Sequence, residues 1–189
     1  MNLKAIISEI DKQMIASLNA GALMPLKAFG LAEFYYDKEK KYPGIVNGSE
    51  VTNCLLDDGY NVSWYHRSEY SEYTTIEENY GDKMDKVEET TPVVLVIYAN
   101  RVKTQQSLQT IKDIFASVIP SVLDKATCEE LSIFDCTIEL RNAEMNTSLV
   151  FREECTIPDV RVGIEHGLIA IRYEIKSTYR RGCEVVCDC

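Results

Sequence analysis

The sequence predicts an α+β fold: a mainly antiparallel sheet packed with an N-terminal helix and a central helix, plus a long acidic, Tyr-rich loop or hairpin. Three observations predict it. Val93 to Tyr98 is continuously apolar, as in a central strand covered on both faces. Phe134–Leu140 and Ile169–Ile175 alternate apolar and polar residues, which marks a sheet with one buried face and one wet face. Two other segments repeat apolar residues at spacings of three and four, the stripe of an amphipathic helix.

The elements follow in order. Leu3, Ile6, Ile7, Ile10, Met14 and Leu18 form one stripe on a helix over 3–18, expected to dock on the domain's own sheet, with a neighbouring subunit as the alternative, and Asn19 and Gly21 end it. Residues 22–30, with Pro25, read as a linker. Residues 31–37 read as a strand with a charged end at Lys38–Lys41. Tyr42-Pro43-Gly44 reads as a turn, and Asn47-Gly48 is a two-residue hairpin signal. Residues 60–67 form a strand with Val62, Trp64 and His66 on one face and Tyr65 on the other. Thr91–Asn100 is the buried strand. Thr104 is a candidate N-cap for a helix over 104–119, buried through Leu108, Ile111, Ile114, Phe115 and Val118, and Pro120 stops it or starts a new turn. Further strands are expected over 132–141, 147–154 and 167–177.

The segment 57–91 stands apart. From Ser68 onward the apolar periodicity vanishes and acids alternate with Tyr70, Tyr73 and Tyr80. A structureless stretch this long is uncommon in a compact domain and is usually functional or disordered, yet disordered segments are poor in aromatics. Aromatic anchors among charges are the anatomy of an interface. The candidate interface residues are therefore Tyr60, Trp64, Tyr65, Tyr70, Tyr73 and Tyr80, with the basic residues Arg172, Lys176, Arg180 and Arg181 as their complement on a neighbouring subunit. The alternative is a strand followed by a passive acidic loop.

At 189 residues the chain reads as a single domain, 1–189, with 57–91 as a protruding loop or hairpin and 178–189 as a flexible C-terminal tail. The net charge of −10 disfavours sequence-independent binding to nucleic-acid phosphates. No apolar run approaches the ~20 residues of a membrane span, and the polar breaks in 1–18 are wrong for a signal peptide, so a protein made and kept in a cytoplasm is expected. The sequons at Asn47, Asn61 and Asn146 then read as chance matches. Seven cysteines are too irregular for a disulfide framework. Cys183, Cys187 and Cys189 lack both the spacing and the fourth ligand of a zinc site. His66 and His166 lack the company of a triad or a metal centre. No phosphate loop, HExxH or GxSxG occurs, so no catalytic residue, metal or cofactor is expected.

The element order, the strand TPVVLVIYANRV and the closing strand IAIRYEIKSTYRRGC resemble the tail-terminator, tail-completion and head-to-tail connector (neck ring) proteins of tailed bacteriophages. The resemblance rests on architecture and carries no diagnostic motif. The acidic Tyr-rich segment departs from the minimal members. It implies a non-enzymatic virion protein, assembled in the host bacterial cytoplasm. Such a protein forms a homo-oligomeric ring and contacts connector, portal-adjacent or tail-tube proteins, with no membrane and no specific nucleic-acid partner. The alternatives are an interaction module without ring symmetry and a carboxylate-dependent hydrolase.

Overall fold

The computed structural model describes residues 3–20, 26–37, 40–47, 50–54, 61–68, 71–76, 86–128, 137–146, 149–150 and 168–181. Among these are helices α1 (Leu3–Ala20), α2 (Arg101–Thr104) and α3 (Leu108–Cys128). The strands are β1 (Leu26–Leu31), β2 (Glu33–Asp37), β3 (Lys40–Asn47), β4 (Glu50–Asn53), β5 (Asn61–Arg67), β6 (Glu72–Ile76), β7 (Lys86–Asn100), β8 (Thr137–Glu144) and β9 (Leu168–Arg181). The fold is α+β and mainly antiparallel. The main sheet runs β1-β5-β7-β9-β8, with β6 also on β7, and only the β1–β5 pair is parallel. A separate sheet runs β2-β3-β4.

Strand β7 organises the main sheet. Its first half pairs with β6, from Ile76↔Lys86 to Glu72↔Thr90, and its second half with β5, from Arg67↔Val93 to Val62↔Tyr98. Its other edge pairs with β9 over the whole length, from Val87↔Arg181 to Asn100↔Leu168. The apolar run is thus buried on both faces, as its composition requires. Val93, Leu95, Ile97 and Ala99 face the helices, while Val94, Val96 and Tyr98 join a second core on the opposite face.

The first core is a helix layer on the sheet. All six residues of the expected α1 stripe are buried there, with Ile111, Phe115, Ile119, Val122 and Leu123 of α3. Burying an Ile, Leu or Phe side chain contributes roughly 1.5–3 kcal/mol, so this stripe rather than helix propensity holds α1 in place. The second core sets Trp64 and its sheet neighbours beneath Ala32, Cys54, Ile45 and Val150.

Several expectations are corrected. The helix begins at Leu108, not Thr104. Gln105 takes a left-handed φ of 54° after the single turn α2, and the Thr110 amide donates to Ser107 Oγ at 3.0 Å, so Ser107 is the cap. Leu108, in the first turn, is 41% exposed and does not belong to the buried stripe. Pro120 does not stop α3, because Ile119, Val122 and Leu123 continue the buried face and Pro120 itself points to solvent. The expected linker contains β1. The expected strand 31–37 is β2 plus the end of β1, split at Ala32, whose amide leaves the small sheet and donates to the Tyr65 carbonyl at 2.7 Å.

Pro43-Gly44 lies inside β3 rather than in a turn, with Pro43 opposite Phe34 and Gly44 opposite Glu33. A Cβ on Gly44 would meet Val51 Cγ1 at 2.6 Å and Tyr35 Cδ2 at 2.9 Å, so glycine makes room for the ring crossing the strand. β3 and β4 pair as consecutive antiparallel strands where the hairpin was expected, but Asn47 is a strand residue opposite Glu50 rather than a loop residue, and residues 48 and 49 lie outside the described residues. Within the expected strand 147–154, residues 149–150 instead start a helical turn, their amides bonded to the Asn146 carbonyl. Residues 178–181, assigned to a flexible tail, are the end of β9. Phe134, Cys136, His166 and the three C-terminal cysteines lie outside the described residues.

Candidate functional site

Three features outside the two cores have functional character. The first is the outward face of the β2-β3-β4 sheet. Strand alternation sets Phe34, Pro43 and Ile45 toward the main sheet, where Phe34 meets His66 edge-on at 4.8 Å. The opposite face therefore presents Tyr35, Tyr42, Val46 and Val51. Tyr35 and Tyr42 are register partners with ring centroids 6.2 Å apart. Val46 and Val51 are also register partners and are 53% and 41% exposed. Scattered exposed apolar residues are ordinary; two adjacent cross-strand pairs on one open sheet face are a patch. The sequence signal was the Asn47-Gly48 hairpin, but the face could not be read while Pro43-Gly44 stood as a turn.

The second is the polar face of β8 and β9. Arg172 Nη2 donates to Glu174 Oε1 at 2.9 Å, and Arg141 pairs with Glu139 at 2.7 Å. The register sets Lys176 opposite Glu139 and Arg172 opposite Glu144. Ser68, Pro92, Arg141, Glu174 and Lys176 line a hollow of about 340 Å³ here.

The third is a groove of about 530 Å³ between α1 and the edge strand β1. Ile7 and Ile15 of α1, Phe29 and Leu31 of β1, and Ile45 of β3 form its walls. Gly30 has a φ of 73° at a register irregularity between Ala28 and Leu31, a bulge that turns Phe29 and Leu31 into different cores. Asp11 lies between Ile7 and Ile15, four residues from each, and lines the same groove while only 8% exposed. Burial pushes its carboxyl up to about 7, against a smaller downward pull from the Tyr65 hydroxyl. Burial, with the Asp11 charge, raises Tyr65 well above the usual phenol range. The two groups face each other, yet neither Asp11 Oδ1 nor the Tyr65 hydroxyl makes a regular hydrogen bond among the described residues. An acid at the i+4 step between two isoleucines was the available sequence signal for this site.

The sequence-derived interface residues do not form one surface. Trp64 and Tyr65 are fully buried, on opposite faces of β5, and are corrected from interface anchors to core residues. The helix layer covers Tyr65, and Ala32, Ile45, Cys54 and Val150 cover Trp64, so neither ring reaches the surface. Tyr73, on β6, is 57% exposed, and its hydroxyl donates to Glu89 Oε1 at 3.4 Å. Tyr60, Tyr70 and Tyr80 lie outside the described residues. Arg172 is half-buried and donates from Nη2 to Glu174 Oε1 of its own strand at 2.9 Å. Arg180 pairs in register with Glu88, and Arg181 with Val87, so this part of the basic set already lies beside the acidic segment of the same chain. Lys176 is half-buried at the hollow.

Asn61, one of the sequon residues, is buried and accepts the Asn100 amide at 2.7 Å. Among the described residues no group of three His, Cys, Asp or Glu could hold a metal ion, and no helix is long and apolar enough to cross a membrane. No protein-family model and no curated protein matches this sequence.

Proposed function

We propose that this chain is a non-enzymatic structural subunit of a tailed-phage virion, assembled in the host bacterial cytoplasm. It forms a homo-oligomeric ring at the head–tail junction or the tail end. The observation that carries the assembly role is the open Tyr35/Tyr42/Val46/Val51 face. Aromatic and aliphatic side chains on an exposed sheet face fit a surface that is covered in an assembly. The phage setting rests on the resemblance in element order.

Closed rings use heterologous contacts, so this face meets a different surface on the next subunit. A suitable one is the strip formed by β6 and the start of β7. None of its described residues before Val93 joins either apolar core, and it exposes Tyr73. Such an extension is held mainly by its backbone ladder and gains order from a neighbour.

Light scattering on the purified protein, with electron micrographs, tests the proposal. Closed rings are expected for the wild type, and smaller species for the double variant Val46→Glu, Val51→Glu. These positions are exposed, so the variant should remain folded. A wild-type protein that stays monomeric alone and within assembled particles would rule the ring out. Assembly unaffected by the double variant would remove this face from the interface.

A further inference from the structure

The groove between α1 and β1 combines three things rarely found together by accident. Its walls are aliphatic and aromatic. It is open to solvent along one side. Its floor holds a carboxyl that is more than nine-tenths buried, with one oxygen lacking a hydrogen-bond partner among the described residues. Buried acids are normally paired, because an unpaired one is costly. We propose that this groove receives the side chain of a lysine presented by a partner polypeptide, with Asp11 as the counter-ion of its ammonium group.

The chemistry of the walls favours that occupant. An ammonium group supplies three donors to a carboxylate that faces the Tyr65 hydroxyl and whose Oδ1 has no hydrogen-bond partner among the described residues. The four-carbon stem of lysine suits Ile7, Ile15 and Leu31 as an apolar sleeve. Phe29 adds an aromatic wall, and its ring already attracts the Lys27 ammonium at 4.9 Å.

The charged groups around Asp11 are consistent with this. On its own helix Lys4 and Lys12 stand exposed at the rim, Lys12 bridged to Glu9 at 3.4 Å. Solvent screens them far more than it screens a contact on the floor. Tyr65 is the group facing Asp11 from β5. From β1, Lys27 holds its ammonium over the Phe29 ring at 4.9 Å, while Ala28, Phe29, Gly30 and Leu31, with Ile45 of β3, bring no charge. The open side admits a side chain while its backbone stays outside, which is why a polypeptide source fits better than an enclosed small molecule.

The inference goes beyond ring formation. A monomer that bound lysine here would keep it and lose the ring. The test is an amide NMR titration of the full chain with three probes: Nα-acetyl-lysine N-methylamide, pentylammonium and neutral pentanol. Saturable shifts at Ile7, Asp11, Phe29 and Leu31 are expected with both amines, in the millimolar range normal for fragments of this size. The Asp11→Asn variant should bind them at least tenfold more weakly, the scale of one charge-assisted hydrogen bond. It should bind pentanol as the wild type does.

Because a proton competes with the ammonium for Asp11, wild-type affinity should fall as pH drops below about 7. The variant should show no such dependence. No saturable shift in the wild type would overturn the proposal, as would equal amine binding by wild type and variant. Binding of pentylammonium but not of the blocked lysine would overturn the assignment to a protein side chain.

Discussion

Trp64 and Tyr98 meet edge to face across β5 and β7, with ring centroids 4.6 Å apart and planes at 85°. They are diagonal neighbours, because the register sets Trp64 opposite Val96 and Tyr98 opposite Val62. This pair anchors the second core, under the small sheet. Trp64→Ala should cost about 3–5 kcal/mol, read as a lowered denaturation midpoint in urea. Trp64 is the only tryptophan, so native fluorescence should be that of a dry indole and should shift red on unfolding. A solvent-like native emission would contradict the assigned core.

Asp11 makes stability depend on pH in the direction opposite to an ion-paired acid. Its folded pKa, about 7, lies above the ordinary 3.8, so between those values the native state binds the extra proton. Stability from this group is fully present below pH 4, falls as pH rises toward 7, and levels off above it. The span is on the order of 4 kcal/mol at 1.36 kcal/mol per pH unit. Asp11→Asn should remove that slope and stabilise the protein at pH 8. Thermal melts of both proteins from pH 4 to 8 check it.

Gly44→Ala should destabilise the three-stranded sheet. The new methyl would lie within 3 Å of both Val51 and the Tyr35 ring, and overpacking of this kind costs about 1–3 kcal/mol. Hydrogen exchange should show the loss confined to β2–β4, with β7 and β9 amides less affected.

Much of the main fold is legible in the sequence. The α1 stripe and the two alternating or continuous strands Val93–Tyr98 and Ile169–Ile175 are set by burial, and burial leaves a periodic mark. The missed parts are those where local chemistry and tertiary context disagree. Pro43-Gly44 has turn composition, but the pair lies within a strand, where glycine leaves room for the Tyr35 ring. Gly30 has the look of a linker, but it forms the bulge of an edge strand. Pro120 should end a helix by rule, yet the apolar face beyond it continues the burial. In the site, Trp64 and Tyr65 carried interface chemistry in their side chains, and only their position in a two-faced sheet shows them to be core. Asp11 was not singled out, because an acid beside an apolar stripe reads as an ordinary helix flank until β1 is recognised as the opposite wall.

Pro120→Ala tests the helix that runs through its proline. The substitution restores an amide donor to the turn and removes the ring's clash with the preceding carbonyl. Proline is about 3 kcal/mol worse than alanine inside a helix, and its restriction of the unfolded chain offsets up to about 1 kcal/mol. A net gain of about 2–3 kcal/mol is expected from chemical denaturation. A loss would mean that α3 is shaped around a bend at Pro120.

The partnership of β7 with β9 has a kinetic consequence. It joins residues as remote in the chain as Val87 and Arg181, and although β5 and β6 can pair with β7 beforehand, this side of the sheet's centre cannot zip until both have been delivered. Loop-closure entropy must be met before that long ladder returns any stabilisation, which places the protein among slow, non-local folders. Until β9 arrives, β7 is a fifteen-residue strand with one unpaired edge and a strongly apolar stretch over Val93–Ala99. Newly synthesised chains should therefore be most prone to aggregate in that interval, and temperature or chaperone supply during expression should govern yield more than the final stability does.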